Sequence, residues 1–495
     1  MNPNPYSKTN KTMVIGSGVA GLAIAIRRAV AGDTVEVFEA AGSPGGKIHQ
    51  FELGGYRFDG GPSLFTQPEY MDELFRLAGK NSTDYFRYKK MEESCRYFWS
   101  DDTRFTASAR LEDFEKNVEE ALGTEVGQIK QYLRHSEWKY DKVGRIFLDR
   151  SLHRSESWWR KDVLTAIPGL FRYGLFSSLH KFNKSFFSHP KLVQLFDRYA
   201  TYNGSDPYQT SGMMSVIPHF EHNQGTFLPN KGMYSIAQSL YELGQNLGVT
   251  YHWNQKVERI YHNDRAVTGI LVGGETLPAD SVISNMDIHP TYHQLLPDLP
   301  LPRQLQREER SSSAFIFYWG ISRAIPELGL HNILFSDDYK EEFTAISEGR
   351  MSADPTVYIN ITSKVIPGEA PRMGENWFVM INAPHHQDQD WEALQPQIKI
   401  HALEKIRQCL GRDIEKDIEV EKVWTPLQIQ QDTSSFRGAL YGSASNDMMS
   451  AFNRHPNFHP KIKNLYFCGG SVHPGGGIPL CLLSAKITSS EMDRS

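Results

Sequence analysis

The chain has 495 residues, 40% of them hydrophobic and 22% charged, with a formal net charge of −5. That length supports two or three domains around large cores, and the charge excludes nucleic acid as the main partner, because phosphate binding needs a basic face. Cys95, Cys409, Cys468 and Cys481 form no C-x-x-C pair, so neither a disulfide framework nor a metal site is expected. The first residues lack the apolar stretch of a signal peptide. No run of about eighteen apolar residues predicts a spanning helix. A reducing, cytoplasmic setting is the expectation.

The first predicted element is a buried strand, Thr12 to Ile15. Gly16, Gly18 and Gly21 follow at G-x-G-x-x-G spacing, with Val19 and Ala20 between the last two, and "LAIAIRRAVA" then reads as a helix. Gly16 allows the tight turn, Gly18 lets a pyrophosphate approach the backbone, and Gly21 lets the helix pack on the strand. The helix N-terminus offers free N–H groups to the phosphates. "TVEVFE" reads as the second parallel strand and ends at Glu39, followed by Ala40, where a carboxylate would bind ribose hydroxyls. A dinucleotide site is expected. The alternative, an ordinary turn that binds nothing, does not call for the acid at the end of the second strand.

No second helix follows, which favours a flavin over a nicotinamide. Gly45-Gly46-Lys47 makes another glycine turn, with a cation expected beside the phosphates, and Gly60-Gly61-Pro62-Ser63 makes a third. Plain turns in a β-rich loop are the alternative. Residues 150–192 are rich in aromatics and carry Arg150, Arg154, Arg160, Lys161, Arg172, Lys181, Lys184 and Lys191 against Glu156 and Asp162. Such a composition suits an interfacial helix on an anionic bilayer, or a solvated basic face with no partner. Pro168 and Gly169 interrupt its periodicity. "MYSIAQSLYELGQNLG" reads as a helix, and the stretch from Val249 to Asn285 alternates as strands. "SSSAFIFYWGI" is a long apolar strand.

Near the end, "LYFCG" reads as a strand, and "IPLCLLSAKI" reads as a helix with Pro479 in its first turn. Gly475 to Gly477 lead into that helix, whose N-terminus suits partial negative charge. His473 stands in the same motif. His219, Glu221 and His222 are further candidates to accept a proton. No hydrolase order and no H-E-x-x-H motif is present, and His385-His386 reads as loop.

The stretch from Ala41 to Phe65 resembles the cofactor-wrapping region of flavoproteins related to amine oxidases, where the loop matching Gly61, Pro62 and Ser63 lies beside the isoalloxazine. "CGGSVHPGGGIPLCLLSAK" resembles the C-terminal signature of bacterial carotenoid desaturases of the phytoene-desaturase type. "FDGGPSLFTQPEYMDELF" and "GTFLPNKGMYSIAQSLYELGQNLGVTYHWNQKVERI" also look like that family, so the resemblance runs from end to end. Ser471 and Val472 depart from its usual Gly-Thr. Within the family, "GGKIHQFELGGYRFDGGPSLFTQP" and "RYATYNGSDPYQTSGMMSVIPHFE" look most like the hydroxycarotenoid 3,4-desaturases.

The resemblance implies a mixed α/β fold with a discontinuous Rossmann-like FAD domain (8–80, 222–290, 440–495) and a substrate domain (81–221, 291–439) with a helical, membrane-facing part. It implies FAD as cofactor, held by the residues of the three glycine turns, by Glu39 and Ala40, by Val257 at the adenine, and by Gly469, Gly470, Gly477 and Ile478 near the flavin ring. The implied reaction places a double bond in an acyclic carotenoid collected from the membrane by a peripherally associated enzyme, with oxygen or a quinone as the open choice of final acceptor. His473 is the candidate catalytic residue. Tyr199, Tyr202, Phe220, Phe315, Phe317, Tyr318 and Trp319 are tunnel candidates or plain core. A phytoene desaturase, a saturase or an isomerase stays open within the family. Outside it stand an amine- or protoporphyrinogen-oxidase-like enzyme and a flavin-free lipid escort of the Rab GDP-dissociation-inhibitor type.

Overall fold

A computed structural model describes residues 9–123, 127–148, 150–166, 169, 172–447 and 454–494. Lys11–Ile15 is the central strand of a five-stranded parallel sheet. Across the sheet run Leu465–Phe467, Ser281–Ser284, Lys11–Ile15, Thr34–Phe38 and Thr250–His252. A parallel strand is covered on both faces, and Met13, Val14 and Ile15 are accordingly all buried. The helix Val19–Val30 packs between the helices Tyr234–Asn246 and Ile478–Met492. That sandwich explains why "GLAIAI" is apolar on every side. Arg27 and Arg28 close its last turn, where cations suit the dipole, and pair with Glu73 and with Asp33.

A smaller antiparallel sheet of Val257–His262, Val267–Val272 and Glu275–Pro278 packs on Met13, Ile15 and Phe38. The largest sheet has seven strands. Its long central strand, Ser313–Ile321, is buried at every position and pairs with Glu375–Ala383 on one side and Ile418–Trp424 on the other. Side chains alternate across a strand. Phe315, Phe317, Trp319 and Ile321 therefore share one face, under the helix Trp391–Leu410. Ala314, Ile316 and Tyr318 share the other, against the hairpin His49–Leu53 and Tyr56–Gly60. That hairpin joins the large sheet to the glycine turns.

The helices Leu111–Leu122, Gln128–Lys139 and Pro190–Asp197 pack their apolar stripes on the strands Glu93–Phe98 and Arg104–Ser108 at the sheet's far edge. Among the described residues no helix is long and apolar enough to cross a membrane.

Trp319 is fully buried between its strand and the long helix, and its Nε1 donates to Glu421 Oε2 at 2.7 Å. Trp319→Ala leaves a cavity under that helix. The expected loss is about 3–5 kcal/mol of unfolding free energy, read by denaturant titration.

Candidate active site

Gly16 has φ +92°, and its N–H donates to Phe38 O at 2.8 Å, so the chain turns sharply at the sheet's carboxyl edge. A Cβ on Gly21 would stand 2.0 Å from Gly16 O. The helix can sit this close to the strand only without a side chain there. Gly18 is the N-cap, with no side-chain cap and no acid in the first turn, so the first N–H groups remain open to an anion. Glu39 lies beside them. Its Oε2 accepts from Ser17 N at 2.7 Å and Ser17 Oγ at 2.8 Å, and its Oε1 accepts from Ala41 N at 2.9 Å. Gln255 N donates to Glu39 O at 2.8 Å, which brings the turn before the buried Val257 to this end of the sheet. Ala40 is exposed at the rim.

The second glycine turn stacks on the first, and the third on the second. Gly45 N donates to Ser17 O at 2.9 Å, and a Cβ on Gly46 would come 3.3 Å from Gly18 Cα. A Cβ on Gly61 would fall 1.9 Å from Lys47 O, and one on Gly60 would enter the His49 ring. The three glycine turns thus bring bare backbone together at Gly16 to Gly18, Gly45 to Gly46 and Gly60 to Gly61. Asn285, which sequence reasoning missed, locks it. Its Oδ1 lies 2.8 Å from a Cβ position on Gly18, and its Nδ2 donates to Cys468 O at 3.0 Å. An asparagine directly after a parallel strand, at the edge where ligands bind, was the available signal.

Lys47 requires a correction. Its Nζ donates to Leu440 O at 2.7 Å rather than standing at the helix N-terminus. Burial pulls its pKa below the usual lysine value, with Asp287 opposing. Lys47 therefore ties the second glycine turn to the loop at 439–440.

At the other end of the chain, Gly469 N donates to Ser484 Oγ at 3.1 Å, and Gly470 lies against Gly476. Gly477 caps the helix beginning at Ile478 with no side-chain cap, leaving a second open N-terminus. Ser471, one of the departures from the family signature, accepts from Ile288 N at 3.0 Å. His473 does not meet the expectation of a catalytic group. It is 1% exposed, its Nε2 is 2.9 Å from Arg150 O, and burial lowers its pKa to about 4. The neutral ring braces the segment after Arg150.

The family model for flavin-containing amine oxidoreductases matches residues 19–493. The chain belongs to this family. It is 52% identical over 480 residues to the 1-hydroxycarotenoid 3,4-desaturase of Flavobacterium sp. (strain P99-3), covering 97% of this chain and 98% of the relative. It is 31% identical to the 4,4'-diapolycopene oxygenase of Methylomonas sp., covering 99% of each. Among solved structures, cyclohexylamine oxidase from Brevibacterium oxydans IH-35A superposes with a TM-score of 0.62 at 14% identity, covering 98% of this chain and 99% of that one.

The flavoprotein's cofactor is FAD, and the residues present fit it: two uncapped helix N-termini, a bare glycine surface and an acid at the end of the second strand. The substrate candidates separate. Phe317 and Trp319 are corrected to core, because they take the strand face under the long helix. Tyr318, with Phe378 and Tyr358 near it, takes the face toward the hairpin that carries Gly60. Phe220 packs edge-on to Tyr140 in the turn His219–Gln224.

Tyr199 and Tyr202 prove to be polar. Arg198 donates to Glu221 Oε1 at 2.6 Å, Tyr97 OH at 2.6 Å and Tyr199 OH at 3.0 Å. Tyr202 OH donates to Glu221 Oε2, and Tyr199 OH lies 2.6 Å from His222 Nε2. Burial works to raise the Glu221 pKa, yet Arg198 and the tyrosine hydroxyls outweigh it and hold the carboxyl at about 2. His222 is kept neutral by burial, at about 4. Arg198 carried no sequence signal, since its partner lies 23 positions away.

Gly18→Val, which drives a side chain into Asn285, and Glu39→Ala, which frees Ser17 N, are each expected to weaken FAD retention by about tenfold or more. The flavin absorbance per protein after gel filtration reads it. Normal flavin content in both variants would count against this site.

Proposed function

We propose that this chain is an FAD-dependent 1-hydroxycarotenoid 3,4-desaturase that collects its polyene at a membrane surface. The observation that carries the reading is 52% identity to a relative of that name along almost the whole of both chains. The site chemistry supports it. When bound, FAD supplies a two-electron acceptor, so that a carbon–carbon single bond beside a polyene can lose one hydrogen as hydride and another as a proton. The chain's own residues bind, orient and keep the site dry. The uncapped turn at Gly18 would hold the pyrophosphate and Glu39 the ribose. The open N-terminus at Ile478 would favour negative charge at the flavin ring. The aromatic face of Tyr318, Phe378 and Tyr358 would exclude water beside the polyene.

The membrane part rests on Trp159, 78% exposed, Trp158, 44%, and Phe176, 55%. Arg160 and Lys161, next in the chain after Trp159, and Arg172, four residues before Phe176, are exposed as well. Exposed tryptophan beside arginine and lysine is the composition of a surface that enters the headgroup region of an anionic bilayer. Pro168 lies outside the described residues.

The test of activity is a spectrum. Purified protein is mixed under nitrogen with liposomes carrying 1-hydroxylated or unhydroxylated acyclic carotenoids. Flavin bleaching with a red-shifted polyene is expected with the hydroxylated one, and later admission of oxygen or a quinone identifies the acceptor. A flavin that stays oxidised with every carotenoid would sink the reading.

Flotation tests the surface. The protein is expected to float with phosphatidylglycerol-containing liposomes and less with neutral ones. Trp159→Glu should lower the bound fraction several-fold, and equal binding by that variant would exclude this patch.

A further inference from the structure

The position of the substrate's hydroxyl constrains where it can be recognised. In a 1-hydroxylated chain desaturated at carbons 3 and 4, one carbon separates the hydroxyl-bearing carbon from the reacting bond. The oxygen therefore lies on the order of 3–5 Å from the reacting carbons. The resemblance that puts Gly61 to Ser63 beside the flavin ring implies that a group recognising this oxygen lies within a side chain's reach of Ser63.

A buried polar chain leaves that loop. Ser63 Oγ is 2.8 Å from Tyr358 OH, which is 2.7 Å from His331 Nδ1. The amide nitrogen of Asn360 donates to Leu330 O at 3.0 Å and lies 3.1 Å from the same Nδ1. An amide nitrogen only donates, so Nδ1 is an acceptor and the proton of the neutral ring sits on Nε2. Burial keeps the ring neutral, pulling its pKa to about 4. His331 is 4% exposed, yet its Nε2 has no hydrogen-bond partner among the described residues. A buried donor without an acceptor is costly.

A second such donor lies in the same region. Arg198 Nε is also buried and without a partner, while Nη2 meets Glu221, Tyr97 and Tyr199 and Nη1 reaches Tyr202 OH at 3.4 Å. The charges of Arg198 and Glu221 both act on the His331 ring. This pairing selects the ligand. Glu221 repels an anion and Arg198 repels an amine, so the two open N–H groups suit a neutral oxygen. The tyrosines and phenylalanines around them exclude water from competing.

Building on the desaturase reading, we infer that His331 and Arg198 form a subsite for the hydroxyl at the substrate's end group. His331 Nε2–H donates to the hydroxyl oxygen, while Tyr358 and Ser63 fix the imidazole against the loop beside the reacting bond. Specificity for hydroxylated carotenoids then arises here, since a site built to donate to a hydroxyl leaves its donors unpaired when the analogue lacks one.

The full-length flavin-loaded protein is assayed on a 1-hydroxylated acyclic carotenoid and on the same carotenoid without the hydroxyl, in liposomes under nitrogen. The readout is the ratio of the two kcat/KM values. An analogue that turns over too slowly is read as a competitive inhibitor. His331→Phe is expected to lower the ratio about tenfold or more, and Tyr358→Phe to lower it less in the same direction. His331→Gln, which keeps a donor, should recover part of it. If His331→Phe does not retain flavin, the other two variants decide. A level ratio in variants with normal flavin content overturns the subsite and leaves the desaturase reading standing. A wild-type protein that is bleached by neither carotenoid removes the desaturase reading, and this subsite with it.

Discussion

The site depends on backbones approaching closer than side chains permit. Gly16 O occupies the position a Cβ on Gly21 would need, and Lys47 O does the same to Gly61. The gap left between the turns is filled by one amide. Asn285 reaches Gly18, Gly21 and Gly469 together, and its side-chain tie to Cys468 O with its N–H on Ile15 O couples the first strand of the chain to the last. Strands far apart in sequence thus end at one edge of a parallel sheet, where two helix N-termini open with no side-chain cap. The dipoles and free N–H groups there favour negative charge at both helices. The cofactor surface is a consequence of packing first and of electrostatics second.

The region around Arg198 is organised by charge instead. Arg198 and Glu221 are paired with side-chain exposures of 7% and 2%. Such a pair recovers its desolvation cost only when the remaining donors and acceptors are also satisfied. Tyr97, Tyr199 and Tyr202 satisfy most of them, which explains why three tyrosines converge on one guanidinium. A hydrophobic core of the same volume would be no less stable. Keeping the charges points to a use for them, and the donors left open on Arg198 and His331 supply one.

Much of this was legible in the residues. The strand, glycine turn, helix and acid at 12–39 are local features, and local spacing encodes them. The apolar strand at Ser313–Ile321 was legible as well, but not its faces. Alternation says that Phe317 and Tyr318 point apart, and only the tertiary packing says that Tyr318 meets the hairpin while Phe317 lies under a helix. Lys47 shows the same limit. Its place beside a glycine turn suggested phosphates, yet a side chain of that length can reach several acceptors, and the carbonyl of Leu440 is the one it takes. Asn285, Arg198 and His331 gave little signal because each acts through partners distant in sequence.

The hairpin between the two regions determines how they work together. One end carries Gly60 into the cofactor loop, and its face packs Phe51 and Phe58 on Tyr318 of the large sheet. Ser63 follows directly and bonds Tyr358 of that same sheet. A change in the position of the cofactor loop is therefore transmitted to the sheet that holds His331, and the reverse. Interiors packed this densely do not deform gradually. The distance between the bond to be oxidised and the hydroxyl to be recognised is set by covalent geometry in the substrate. In the proposed subsite a rigid hairpin rather than a mobile loop would match it, so that selectivity and oxidation would draw on one fixed spacing.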